Sequence, residues 1–271
     1  MLRRTAVIAL VAAATAVVVG AIALGVVLTR PAPEASVCRV VGDALTFDLG
    51  LEEAANATTI AAVVAREGLP PRALTVALAT AYQESNLRNL DYGDRDSVGL
   101  FQQRPSQGWG ARADLLRPEY ATAAFLRELR RVDGWSQLRV TEAAQAVQRS
   151  AGPEAYARWE ARARVLAAAL TGPPYGRLSC RTQPTEVEAA AARRAIAEGL
   201  RRDLGVSDPD GPFPRDRAWL VASWLVAHAS ATGVTEVEVD GRRWSGELEW
   251  ERIGRPAADA GAVPVRFRTG D

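Results

Sequence analysis

Leu74-Thr75-Val76-Ala77-Leu78-Ala79-Thr80-Ala81-Tyr82-Gln83-Glu84-Ser85-Asn86 is an apolar run that ends in a carboxylate. Leu74, Ala77, Leu78 and Ala81 recur at spacings of three and four, the apolar stripe of a helix packed on a core. Three residues on, the same stripe reaches Glu84. A carboxyl group set against apolar neighbours is held in its neutral form, so its pKa is predicted to rise. That makes Glu84 a candidate general acid near neutral pH. The helix then gives way to a stretch from Leu87 to Leu116 dominated by Asp, Gly, Ser, Gln and Pro. A connection of that length without clear periodicity is commonly a functional loop.

The loop carries Gly99-Leu100-Phe101-Gln102-Gln103-Arg104-Pro105, then Gln107-Gly108-Trp109-Gly110. With Glu84-Ser85 before it, this resembles the lytic transglycosylase and goose-type lysozyme group of peptidoglycan-cleaving enzymes. In that group a helix ends in Glu-Ser, the Glu is the catalytic acid, and Gly-Leu-Met-Gln lines the sugar groove. Phe101 stands here for the Met, and Ala146-Val147-Gln148 for the usual Ala-Tyr-Asn. The resemblance covers about residues 45–170. It implies a lysozyme-like fold, Glu84 as the catalytic acid, and Ser85, Phe101, Gln102, Gln148 and Tyr156 near substrate. Gln103 could bond acetamide or hydroxyl groups, and Trp109 offers a ring face for sugar stacking. The implied reaction cleaves the β-1,4 bond between N-acetylmuramic acid and N-acetylglucosamine, with no cofactor. Glu84 can act alone if the substrate acetamide captures the sugar cation. Hydrolysis would need a second carboxylate, for which Asp94 and Asp96 are the loop candidates. A third reading is a non-catalytic wall-binding scaffold that keeps the fold.

Outward from the loop, residues 45–181 read as a mainly α domain. Helices are predicted over 51–66, 71–86, 118–131, 142–150 and 153–170. Pro71, Pro118 and Pro153 each stand at a first helical position, and Thr141 is a candidate N-cap. After Arg181-Thr182-Gln183-Pro184, residues 185–271 read as a small α+β accessory domain. Helices are predicted over 185–204 and 216–230. Val237 and Val239 alternate with Glu236 and Glu238 before an Asp240-Gly241 turn and a return at Arg242-Arg243-Trp244. Leu248 and Trp250 alternate likewise. A last strand through Val263, Val265 and Phe267 is predicted at an edge because of Pro264. The sequence identifies no protein partner for this second part.

The N-terminus sets the expected compartment. Arg3 and Arg4 precede an uncharged run from Ala6 to Leu28. As a helix it would span about 35 Å, against about 30 Å of hydrocarbon. Residues 1–30 are therefore predicted to be a cytoplasmic stub and single transmembrane anchor, with the bulk extracytoplasmic. A cleaved signal peptide is the alternative. Residues 31–44 read as a linker. Outside the cytoplasm, Cys38 and Cys180 are expected to pair. Net charge over 271 residues is +1, which argues against a nucleic-acid partner. The two Cys and single His228 leave no basis for a metal site or a Ser-His-Asp triad. The expected partners are peptidoglycan glycan strands and, through the N-terminal helix, the membrane.

Overall fold

A helix that is small and apolar on every side belongs at the centre of a fold. Helix α1, Leu51–Arg66, has buried side chains from Ala54 through Val64 on nearly all faces. The computed structural model describes residues 35–149, 152, 154–183, 185–256 and 262–270. The anchor predicted over Ala6–Leu28 lies outside them. No helix among the described residues is long and apolar enough to cross a membrane.

The fold is mixed α+β. Around α1 pack α2 (Pro71–Ser85), α4 (Pro118–Leu129), α7 (Ala189–Leu204) and α8 (Arg215–Ala227). The short α3 (Arg112–Leu115) precedes α4, and α5 (Val140–Gln148) and α6 (Glu160–Thr171) follow it. Pro71 and Pro118 do open their helices. Helix α5 starts earlier than predicted, with Arg139 at the N-cap in place of Thr141. The Glu142 carboxylate accepts the Arg139 N–H at 2.9 Å, the reciprocal bond that sets the helix start one turn before Glu142. Helix α6 begins only at Glu160, after a tight turn at Ala157–Trp159. Pro153, the predicted start, lies outside the described residues.

Two antiparallel sheets complete the fold. The first, in the order β2-β1-β3, joins β1 (Val37–Val41), β2 (Thr46–Leu49) and β3 (Leu178–Arg181). The stretch read as a linker over 31–44 thus contains a strand whose Cys38 and Val40 are fully buried. Cys38 lies directly opposite Cys180 in the β1–β3 register, and the two form a disulfide.

The second sheet runs β4-β8-β5-β6-β7. Strands β5 (Val234–Val239) and β6 (Arg242–Trp244) form the predicted hairpin. Both turn residues, Asp240 and Gly241, adopt the left-handed conformation a two-residue hairpin requires (φ 50° and 74°). Strand β8 (Val263–Thr269) is not at an edge, because β4 (Pro212–Phe213) pairs with it on the side away from β5. Pro264 is tolerated because it faces Pro212, beyond the last β5 pairing at Val265. Neither proline has an N–H to leave unpaired. Leu248 and Trp250 lie outside any strand, and only Glu251–Arg252 (β7) pairs there. The alternation has a different cause. The Trp250 indole N–H donates to the Leu178 carbonyl at 2.8 Å, and the Trp244 indole to that of Cys180 at 2.9 Å.

Those bonds cross the boundary read at 182–184. Residues Ser36–Asp271 form one compact unit with a continuous core. Its polar fastening is Asp203 on α7, which is fully buried. Its carboxylate accepts the Trp224 indole N–H of α8 at 2.9 Å, the Thr59 hydroxyl of α1 at 3.1 Å and the Arg202 guanidinium at 2.8 Å. Asp203→Ala strands two buried donors and is expected to destabilise by about 3 kcal/mol. A urea melt followed by Trp fluorescence reads this as a lower midpoint at unchanged slope. His228 extends the same cluster. Its ring stacks on Trp224 at 3.9 Å, and burial pushes its pKa down to about 4, a structural role.

Candidate active site

Helix α2 ends where Asn86 turns left-handed as the C-cap. Just before that turn, Glu84 is half-buried. Burial raises its pKa above the usual carboxylate range; hydrogen bonds from Tyr156 and Gln148 oppose the rise without cancelling it. The Tyr156 hydroxyl donates to Glu84 Oε1 at 2.8 Å, and its ring is fully buried. Gln148, at the end of α5, also donates from Nε2 to the Phe101 carbonyl at 2.8 Å. Three of the predicted site residues thus meet from segments 84, 148 and 156.

The turn bearing Tyr156 is clamped to α2 by a pair that sequence inspection missed. Trp159 stacks on Tyr82 at 5.1 Å, and its indole N–H donates to Gln83 Oε1 at 3.0 Å. No local pattern in the sequence marks Trp159 for this contact with Tyr82 and Gln83. Because the Tyr156 bond favours the charged carboxylate, Tyr156→Phe is expected to raise the Glu84 pKa further. A carboxyl-carbon NMR titration of Glu84 would record a midpoint displaced to higher pH. An unmoved midpoint would mean the bond does not bear on the proton.

Other predicted substrate contacts serve the loop instead. Phe101 is fully buried and stacks on Phe125 at 4.7 Å, so its side chain is core. Gln103 is buried, and its Nε2 donates to the Ala121 carbonyl at 3.1 Å. The Ser85 hydroxyl is buried between the carbonyls of Leu100 (2.8 Å) and Ala81 (3.1 Å), tying loop to helix. Gln102 is half-buried, and its Nε2 reaches the carbonyls of Gly99 and Tyr92 at 3.2 and 3.3 Å. Gly99 itself needs to be glycine. Its φ is +77°, and a Cβ there would lie 2.4 Å from the Leu115 carbonyl oxygen. These bonds hold Leu100-Phe101 under the end of α2, where the Phe101 carbonyl positions Gln148.

Of the two loop aspartates, Asp96 is already committed to partners within the loop. The Arg104 guanidinium at 2.8 Å, with the Ser106 N–H and hydroxyl, holds Asp96 well below the usual carboxylate range. Asp94 is almost wholly exposed beside Arg95. Among the described residues no neighbouring charge contributes to the Glu84 shift.

A cleft of about 540 Å³ is lined by Gln107, Trp109, Arg127, Gln148 and Arg149 among others; Glu84 does not itself line it. Gln148 is common to both, lining the cleft and bonding Glu84. Trp109 is half-buried at the wall. A desolvated carboxyl group of this kind can hold a proton and give it to a ligand atom that comes within reach. Among the described residues no cluster of three His, Cys, Asp or Glu could hold a metal ion. The chain matches no known family model, and no curated protein matches it.

Proposed function

We propose that the chain is a membrane-tethered, extracytoplasmic lytic transglycosylase that cleaves the N-acetylmuramic acid–N-acetylglucosamine bond of peptidoglycan. The observation that carries this reading is a lone, half-buried Glu84 with a raised pKa, hydrogen-bonded by Tyr156 and by Gln148, which also lines an open cleft. The Glu-Ser and Gly-Leu-Phe-Gln motifs supply the substrate class. The apolar run at 6–28 and the Cys38–Cys180 disulfide support export.

In this mechanism Glu84 gives its proton to the bridging oxygen as the bond from C1 breaks. The acetamide oxygen of the same sugar bonds C1 and carries the positive charge. Glu84, now a carboxylate, takes the proton of the C6 hydroxyl. The C6 oxygen then displaces the acetamide from C1 and closes a 1,6-anhydro ring. No second carboxylate is required, which suits a site where Asp96 is committed to Arg104 and Ser106. Incubation of the full chain with purified peptidoglycan is expected to release anhydro-muropeptides, lighter by one water than hydrolysed ends. Mass spectrometry distinguishes the two. Hydrated ends would make the chain a muramidase; strand binding without release would make it a scaffold.

A further inference from the structure

We propose that the cleft lined by Gln148 contains an anion subsite, formed by Arg127 and Arg149, for a carboxylate of the stem peptide borne by N-acetylmuramic acid. This rests on the glycan-cleaving reading and names a second feature of the same substrate. Of the three arginines that line the cleft, Arg131 is committed to Glu128 at 2.7 Å. Arg127 and Arg149 are exposed, and among the described residues neither enters an ion pair or side-chain hydrogen bond. Both line one cleft, from the last turn of α4 and the end of α5. The acidic side chain that lines the same cleft, Glu128, is already paired with Arg131.

Arg149 is also placed at a conformational cost. It is the C-cap of α5 with φ 52°, a left-handed position where glycine or asparagine is easier to hold. A guanidinium kept there, one residue beyond Gln148, points to a use for its charge. Guanidinium groups recognise carboxylates through paired N–H bonds. The stem peptide branches from the sugar whose bond from C1 to the bridging oxygen Glu84 would help break, so its carboxylates fall in the neighbourhood of the acid. Trp109 lines the same cleft.

The test uses the full chain carrying Glu84→Gln, so that strands stay intact, and measures equilibrium binding to soluble strands of three kinds. One bears stem peptides without attached wall polymer, one has its stems removed by an amidase, and one keeps a phosphate-bearing polymer but lacks stems. Stem-bearing strands are expected to bind about tenfold more tightly than stem-free ones, with the advantage fading at high salt. Adding Arg127→Gln and Arg149→Gly should abolish that advantage. Arg149→Gly alone should not lower the melting temperature, since glycine suits the cap. Equal binding with and without stems, a preference for the phosphate polymer alone, or a preference that survives both substitutions overturns the subsite while leaving the cleavage reading intact. Failure to bind any strand overturns both.

Discussion

Glu84→Gln is expected to lower muropeptide release by about 10²–10⁴-fold, the range a positioned acid supplies, with the fold retained. Gln keeps the shape and can still meet Tyr156 and Gln148, but has no proton to give. The pH behaviour follows from burial. Glu84 holds its proton above the usual carboxylate range. The wild-type rate should therefore be level at low pH and fall as pH rises through that raised pKa. A single descending limb fits one acid; a bell-shaped profile would reveal a second titrating group. Stability gives an independent reading. A carboxyl whose folded pKa is raised contributes stability below its ordinary pKa and loses it as pH climbs through the folded value. Gln carries no such penalty. The variant should melt at or above wild type at neutral pH, with the gap widening until Glu84 is fully ionised. A variant that melts well below wild type would identify Glu84 as a structural acid instead.

What the sequence made legible was the part written in local pattern. The stripe from Leu74 to Ala81 placed Glu84 at a helix end, and the hairpin at Asp240-Gly241 needed only its two turn residues. The expectation of Gln148 and Tyr156 near Glu84 comes from the family resemblance alone, not from any local period. Inside the loop local pattern stops. Phe101 and Gln103 flank Gln102 in a segment with no helical or strand period, so nothing local says which side chains face the core. The answer depends on Phe125 and Ala121 of α4, to which they pack and bond. The first sheet was illegible for a related reason. Its strands are four or five residues long, and β1 pairs with β3 across most of the chain. Pro264 misled because its partner strand is two residues long and itself begins with Pro212. The boundary at 182–184 shows in composition, yet Trp244 and Trp250 cross it with their indole N–H groups. Arg127 and Arg149 resemble any other surface arginines until the ion pairs around them are known.

Loss of the Cys38–Cys180 disulfide should produce the largest stability change available by a single chemical step. The bridge closes a separation of 142 residues and so restrains the unfolded chain by about 5 kcal/mol in the loop-entropy account. Against a typical total of about 5–15 kcal/mol, that is a third or more of the stability. For a chain of this size the melting temperature should fall by about 10–20 °C. Calorimetry with and without reductant measures it, and a Cys38→Ser, Cys180→Ser variant should melt low and ignore the reductant. The consequence is selective. With the bridge gone, β1 retains its pairing with β2 and β3 and the burial of Val40, but its covalent tie to the far end of the helical segment is lost. The group around Glu84 is held by other means, through Tyr156, Gln148 and the Trp159–Tyr82 clamp. Below its lowered melting point the reduced chain should therefore keep the Glu84 titration midpoint of the oxidised one. A midpoint that drops toward the ordinary carboxylate range on reduction would mean that the strands, and not the helices, keep that carboxyl dry.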